Sequence, residues 1–77
     1  MQIKPKENYK VVKEFNIFPE DTNEEGQIFF EGEIYKLDFL FERNGVPFVH
    51  LILQNESNGS EINRSVGLAM FKECFSD

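Results

Sequence analysis

Three side chains of this chain have the chemistry that a nucleophilic enzyme needs: a thiol, an imidazole and a carboxylate. Cys74 and His50 are the only cysteine and the only histidine of the 77 residues, and Asp38 lies in a segment that is expected to pair with the one holding His50. A histidine oriented by a carboxylate acts as general base in catalytic triads. Cys74, however, lies in the apolar context FKECFSD, where burial raises the pKa of a thiol, and the residues expected beside Asp38 and His50 offer no hydroxyl group. We therefore predict no catalytic residue and no enzyme activity.

Clustered carboxylates suggest two further kinds of chemistry, cation binding and imitation of nucleic acid. The net charge is −6, and residues 14–42 hold nine acidic side chains against one lysine. The loop PEDTNEEG, residues 19–26, has hard oxygen ligands but lacks the D-x-[DN]-x-[DN]-G spacing of a calcium loop. One cysteine with one histidine is too few ligands for a structural zinc ion. We therefore expect no metal site and no cofactor.

The same acidic segment could act as a decoy for an enzyme that binds DNA or RNA. Alternate residues of a strand lie about 6–7 Å apart, close to the spacing of successive phosphates. A charged surface that keeps a phenylalanine-rich chain in solution explains the same composition, and both explanations stay open. Direct binding of nucleic acid is disfavoured because an acidic body repels phosphate, and it would depend on the lysines of residues 1–13. The acidic patch of the decoy hypothesis comprises Glu20, Asp21, Glu24, Glu25, Glu31 and Glu33.

Length and composition are those of one small domain, residues 1–77, in which we expect residues 1–7 to be flexible. Nine phenylalanines supply the apolar area that a chain of this size needs for a stable core. No apolar segment follows the N-terminal lysines and no run of 18 apolar residues occurs, so we expect neither secretion nor a membrane span. A single cysteine cannot form an internal disulfide, and we expect a cytoplasmic protein.

Apolar residues that alternate along the chain predict a mainly β fold. The first strand covers NYKVVKEFNIF, in which Tyr9, Val11, Phe15 and Ile17 share one face. After the acidic loop come the short segment GQIFFEG and the clearest strand, EIYKLDFLFE, where only Leu40 breaks the alternation. An N-G dipeptide then turns the chain into VPFVHLILQ, which is a strong hairpin signal.

The end of the chain predicts a returning strand and a short helix. The strand extends from Glu61 to Leu68, and the helix begins at Ser65 or Gly67. Leu68, Phe71 and Phe75 are spaced as the apolar face of such a helix. The fold class that follows is a small bent antiparallel sheet, or a partly open barrel, of about five strands with a short C-terminal helix.

The register of the hairpin decides where His50 points. A two-residue loop, Asn44-Gly45, would place His50 opposite Phe39, where a buried imidazole without partners costs roughly 1–3 kcal/mol. A three-residue loop from Arg43 to Gly45, with the glycine at a bulge, shifts every pair by one. It joins two apolar stripes and places a carboxylate opposite the imidazole, so we predict this loop. The expected pairs are Tyr35–Leu53, Lys36–Ile52, Leu37–Leu51, Asp38–His50, Phe39–Val49 and Leu40–Phe48.

The order of these parts, with the Gly-punctuated segment GQIFFEGEIYKL and the closing aromatic turn MFKECF, resembles the small Src-homology-3-like barrels of phage and mobile-element proteins. The resemblance is one of layout over residues 9–75 and contains no specific motif. It implies a binding or regulatory scaffold. The aromatic ligand groove of signalling members is not implied, because the chain has no tryptophan.

We accordingly expect a non-enzymatic module that binds a protein partner, such as a phage-encoded modulator of a host protein, with self-association as an open alternative. An apolar patch with charged borders is typical of a protein contact. Coverage of this face by the terminal helix or by the N-terminal strand is the competing explanation. The expected binding face of the hairpin comprises Lys36, Asp38, Leu40, Phe48, His50 and Ile52.

Overall fold

The computed structural model describes residues 2–17, 27–54 and 59–77, and the fold below is that of these residues. They form seven strands and one helix. The elements are β1 (Asn8–Val11), β2 (Phe15–Ile17), β3 (Gln27–Phe29), β4 (Ile34–Arg43), β5 (Val46–Gln54), β6 (Glu61–Gly67), α1 (Leu68–Cys74) and β7 (Phe75–Ser76).

The strands form two antiparallel sheets. The larger has the order β6-β5-β4-β1-β7, and β2 pairs with β3 in a separate two-stranded sheet. The predicted fold class is confirmed: a small antiparallel sheet of five strands, here an open one, with one short C-terminal helix. The resemblance to Src-homology-3-like barrels stays a prediction.

The first predicted strand is in fact two strands that belong to different sheets. The chain leaves β1 after Val11, and the next two N–H groups, those of Val12 and Lys13, donate to the carbonyl oxygen of Cys74 at 2.8 and 3.3 Å. The predicted face nevertheless holds, because Phe15 and Ile17 pack against the same core as Tyr9 and Val11. Tertiary contacts with the end of α1 therefore interrupt a strand that alternation alone would continue.

The core lies on one face of the five-stranded sheet, which we call the inner face. Helix α1 and the β2–β3 sheet both pack on it: the ring of Phe71 in α1 lies 5.1 Å from that of Tyr9, and Phe29 of β3 lies 5.3 Å from Tyr35. A helix of seven residues is unstable alone, so this packing stabilises it. The buried residues are Tyr9, Val11, Phe29, Tyr35, Leu37, Val49, Leu51, Val66, Phe71, Cys74 and Phe75.

Arg64 of β6 connects the two sheets. Its Nη1 donates to the carbonyl oxygen of Ile28 at 2.8 Å and to the Tyr35 hydroxyl at 2.9 Å, and its guanidinium lies 4.9 Å from the centre of the Phe29 ring. The Tyr35 hydroxyl donates in turn to Glu33 at 3.2 Å. Burial, with the neighbouring carboxylate, raises the pKa of Tyr35 to about 12, so this hydroxyl stays protonated and keeps its bond to Glu33.

Residues 2–7, for which flexibility was expected, contact the sheet. The N–H of Lys4 donates to the Tyr9 hydroxyl at 2.7 Å, this hydroxyl donates to the carbonyl oxygen of Gln2 at 3.0 Å, and Ile3 packs against the core. The N–H of Lys6 donates to the Leu37 carbonyl oxygen at 2.7 Å. The segment therefore extends the pairing of β1 along β4.

Candidate functional site

The β4–β5 hairpin contains two different registers. In the half that is remote from the turn, Tyr35 pairs with Leu53, Lys36 with Ile52 and Leu37 with Leu51. These three pairs confirm the prediction.

In the half next to the turn the predicted register is wrong by one residue. Phe39 pairs with His50 and Leu40 with Val49, and the register shifts between Leu37 and Phe39. The extra residue is Asp38, so β4 has a β-bulge at this position. The predicted pairs Asp38–His50, Phe39–Val49 and Leu40–Phe48 do not form.

The turn has the geometry that the observed register requires. Asn44 and Gly45 have φ values of 52° and 80°, and two successive left-handed residues are typical of the type I′ turn, whose twist matches that of the flanking strands. The loop therefore has two residues and not three. The predicted loop assumed that one register holds along the whole hairpin, whereas the bulge permits an inward Leu37 and a two-residue turn together.

The full burial of His50, which was the reason against a two-residue loop, does not occur. His50 is only half-buried, its ring stacks on that of Phe39 at 4.7 Å with an interplanar angle of 9°, and its Nε2 lies 3.2 Å from the Asn63 side-chain oxygen. An amide oxygen only accepts, so Nε2 carries the proton in this bond. The histidine is thus part of an aromatic stack with a polar partner on the neighbouring strand.

The face opposite the core, which we call the outer face, presents the aromatic strip, defined as Phe39, Phe41, Phe48 and His50. A second stacked pair follows the first toward the turn: the rings of Phe41 and Phe48 lie 5.4 Å apart at 16°. The guanidinium of Arg43 lies 5.8 Å and 6.0 Å from these two ring centres, which is cation–π distance. The strip is therefore a ladder of two stacked pairs with a cation at its end.

The aromatic strip is open to solvent in the described part of the molecule. Phe39 is 47% exposed and Phe41, Phe48 and His50 are partly exposed. Helix α1 and the β2–β3 sheet pack on the inner face. The explanation in which the C-terminal helix covers this part of the hairpin is therefore wrong.

Five of the six predicted binding residues lie on the outer face. Lys36 and Ile52 form one pair, Phe48 and His50 belong to the aromatic strip, and Asp38 lies at the bulge. Leu40 does not lie with them, since it pairs with the inward Val49 and sits 47% exposed at the margin of the inner face.

Sequence reasoning missed Phe39, Phe41 and Arg43 as outer-face residues. A signal for this facing was present in the sequence. Leu40 is apolar but out of phase with the alternation that includes Leu37, as an inward residue beyond a bulge must be. The N-G dipeptide pointed to the same two-residue turn.

Asp38 has a different partner from the predicted one. Its carboxylate accepts a hydrogen bond from the Lys6 Nζ at 2.6 Å, across an interval of 32 residues. This hydrogen bond holds the pKa of the Asp38 carboxyl below its usual value, with smaller contributions from the positive charges of Lys6 and Lys36. The bulge is therefore tied to the N-terminal segment and not to the imidazole.

The remaining chemical candidates do not come together as a site. Cys74 is buried, with its Sγ 3.5 Å from the Met70 sulfur, and burial raises the pKa of its thiol. Within residues 2–17, 27–54 and 59–77, no three carboxylate, histidine or cysteine side chains are grouped as metal ligands. The one helix of these residues, α1, is not long and apolar enough to cross a membrane.

The acidic patch of the decoy hypothesis falls largely outside the described residues, which exclude Glu20, Asp21, Glu24 and Glu25. Glu31 is exposed, whereas Glu33 accepts hydrogen bonds from the Phe30 N–H at 2.8 Å and from a tyrosine hydroxyl. The hypothesis stays a prediction.

Comparison of the chain with protein-family models, with curated proteins and with solved structures finds no match.

Proposed function

We propose that this chain is a non-enzymatic binding module that docks a protein partner on the outer face of the β4–β5 hairpin. The observation that supports the proposal is the aromatic strip, two stacked ring pairs on an open sheet face. Exposed aromatic residues are enriched in the centres of protein interfaces, where they provide large contact area with few rotatable bonds. A module that binds its partner without catalysing a reaction acts by occupying that partner, so the proposed role is regulatory.

The surroundings of the strip indicate the chemistry of the partner. The chain as a whole has a net charge of −6, yet the strip is bordered by Lys36 beside Ile52 and by Arg43 at the turn. The carboxylate of Asp38 is neutralised by Lys6, and Glu61 pairs with Gln54 at the far end of the sheet. Because complementary charges steer association, the partner is a protein whose apolar contact is bordered by carboxylates.

A second copy of the chain fits this face less well. A two-fold axis brings the same patch of both copies together, so Lys36 and Arg43 of one copy would meet cations of the other. Charge therefore favours a different, acidic partner.

The test compares four forms of the full chain as immobilised bait in a lysate of the organism that encodes it: the wild type, Phe39→Ser, Arg43→Glu and the control Phe30→Ser. Phe30 is matched to Phe39, because the two side chains are 51% and 47% exposed and Phe30 lies next to β3, outside the hairpin. We expect a partner that the wild type and Phe30→Ser retain and that the two strip variants lose, with weaker retention at high salt.

A partner retained equally by all four forms would place the contact elsewhere on the molecule. Retention lost in Phe39→Ser and Phe30→Ser alike would indicate nonspecific adhesion of exposed rings. Either result contradicts the proposal.

A further inference from the structure

The bulge in β4 coincides with the point where the strand loses one of its two neighbours. On one side β4 pairs with β5 from Tyr35 to Arg43, with Asp38 as the bulged residue. On the other it pairs with β1 and then with the N-terminal segment, whose last contacts are to Leu37 and Asp38. Beyond Asp38 the described residues show pairing with β5 alone, so this part of β4 is an edge.

Three contacts, here called the N-terminal clamp, hold β4 at this point. The N–H of Lys6 donates to the Leu37 carbonyl oxygen at 2.7 Å, the N–H of Leu37 donates to the Glu7 carbonyl oxygen at 2.9 Å, and Lys6 Nζ donates to Asp38. Lys6 has a φ of 70°, which is uncommon for a residue with a side chain. Lys6 therefore adopts an uncommon backbone conformation at the place where the three contacts form.

The sequence of the hairpin is compatible with a second register. If the bulge moved from Asp38 to Gly45, the loop would have three residues, Phe39 would pair with Val49, and Asp38 would pair with His50. Phe39 and Phe41 would then turn to the inner face, in phase with Tyr35 and Leu37, and the aromatic strip would be dismantled. Strict alternation in β4 favours this second register.

We infer that the N-terminal clamp is a positioning element that selects the bulged register and so determines that Phe39 and Phe41 face outward. The inference rests on the proposed function for its biological meaning, since the strip is the docking surface, but its structural content is independent of any partner. Lys6 and Asp38 are positioning residues, because they act on the strip through the backbone of β4. Detachment of residues 2–7 would change the surface that the hairpin presents.

Two substitutions of Lys6 separate the backbone contact from the charge. Lys6→Pro removes the N–H donor and fixes φ near −65°, whereas Lys6→Gly keeps the N–H and accepts a positive φ. The measurement is by NMR in the free protein: a contact between the rings of Phe39 and His50 reports the bulged register, and a contact between Phe39 and the Val49 methyl groups reports the other. We expect the second contact in Lys6→Pro and not in Lys6→Gly.

A charge swap keeps the test decisive if Lys6→Pro does not fold. Lys6 is 68% exposed, so Lys6→Glu leaves the core intact while it replaces attraction to Asp38 by repulsion. The population of the second register should rise by up to about fivefold, the size of an exposed ion pair, and Lys6→Glu with Asp38→Lys should restore the original population.

The inference is overturned if folded Lys6→Pro keeps the Phe39–His50 contact alone, or if Lys6→Glu leaves the population of the second register unchanged. Either result would leave the docking proposal intact, because the strip would still face outward. Conversely, a register that shifts in these variants while capture of the partner is unchanged would support the clamp and contradict the docking surface.

Discussion

The aromatic side chains of this protein fall into two groups that differ in their burial. In the core, rings from different elements pack together, as Tyr9 does with Phe71 at 5.1 Å and Tyr35 with Phe75 at 5.9 Å, and these rings are at most 3% exposed. In the aromatic strip, rings of two neighbouring strands stack at 9° and 16° and stay partly exposed. The apolar area of the core rings is buried within the fold. The rings of the aromatic strip pack mainly on one another and leave apolar area that a partner can cover.

Two arginines repeat the same contrast. Arg64 lies over Phe29 and donates to a carbonyl and to a tyrosine hydroxyl that belong to different elements. Arg43 lies over Phe41 and Phe48 at the exposed end of the hairpin. The first arginine connects two sheets, and the second borders an open surface.

The largest expected effect on stability comes from truncating a ring of the core group. Phe71→Ala should lower the free energy of unfolding by about 3–5 kcal/mol, the usual loss for a fully buried phenylalanine, whereas Phe39→Ala should lower it by about 0.5–1 kcal/mol, the size of one cross-strand contact. Urea unfolding followed by circular dichroism measures both. Equal losses would show that the strip is part of the structural core, and the distinction between the two groups would fail.

An intermediate effect is expected for the arginines. Arg64→Met keeps much of the apolar length but removes the hydrogen bonds to Ile28 and Tyr35, so unfolding free energy should fall by about 1–3 kcal/mol. The matched variant Arg43→Met removes only an exposed cation–π contact, for about 0.5–1 kcal/mol. The same urea titration compares them, and a larger loss in Arg43→Met would reverse the assignment.

The smallest expected effect on stability concerns Asp38, the bulged residue between the buried half of the hairpin and the aromatic strip. The pKa of Asp38 is lower in the folded chain than in the unfolded one, chiefly through its hydrogen bond from Lys6. The stabilisation is therefore present above the ordinary pKa of an aspartate and is lost as the pH falls through the lower, folded value. We expect the stability difference between the wild type and Asp38→Asn to vanish in acid, as urea titrations over a pH series would measure. A difference that persists unchanged in acid would show that the Asp38 charge is not its source.

Much of the fold followed from local patterns. Alternation identified the inward residues Tyr35, Leu37, Val49 and Leu51, and the spacing at the C-terminus identified a short helix. These predictions held because burial on one face depends on periodicity, which is a property of short stretches. The helix ends at Cys74, so Phe75, predicted on its apolar face, lies in β7. The division of the first strand at Val12 did not follow, since it depends on hydrogen bonds to Cys74, distant in the chain.

The candidate site was predicted only in part. The hairpin, its outer face and the places of Lys36 and Ile52 could be predicted, because the half of the hairpin remote from the turn obeys regular pairing. Phe39 and Phe41 were assigned to the opposite face. A single bulge inverts the facing of every later residue in its strand, so an error of one residue exchanges a core stripe for a surface.

The sequence by itself determined that a hairpin forms around Asn44-Gly45 and that its strands carry an apolar alternation. It did not determine where the extra residue of β4 is accommodated, since a bulge at Asp38 and a bulge at Gly45 are both compatible with local geometry. The tertiary structure places it at Asp38, where Lys6 and Glu7 contact Leu37 and Asp38. The physical reason is that strand facing has a period of two, so the position of one extra residue, which contacts a lysine 32 residues away in the chain, determines which aromatic rings face solvent.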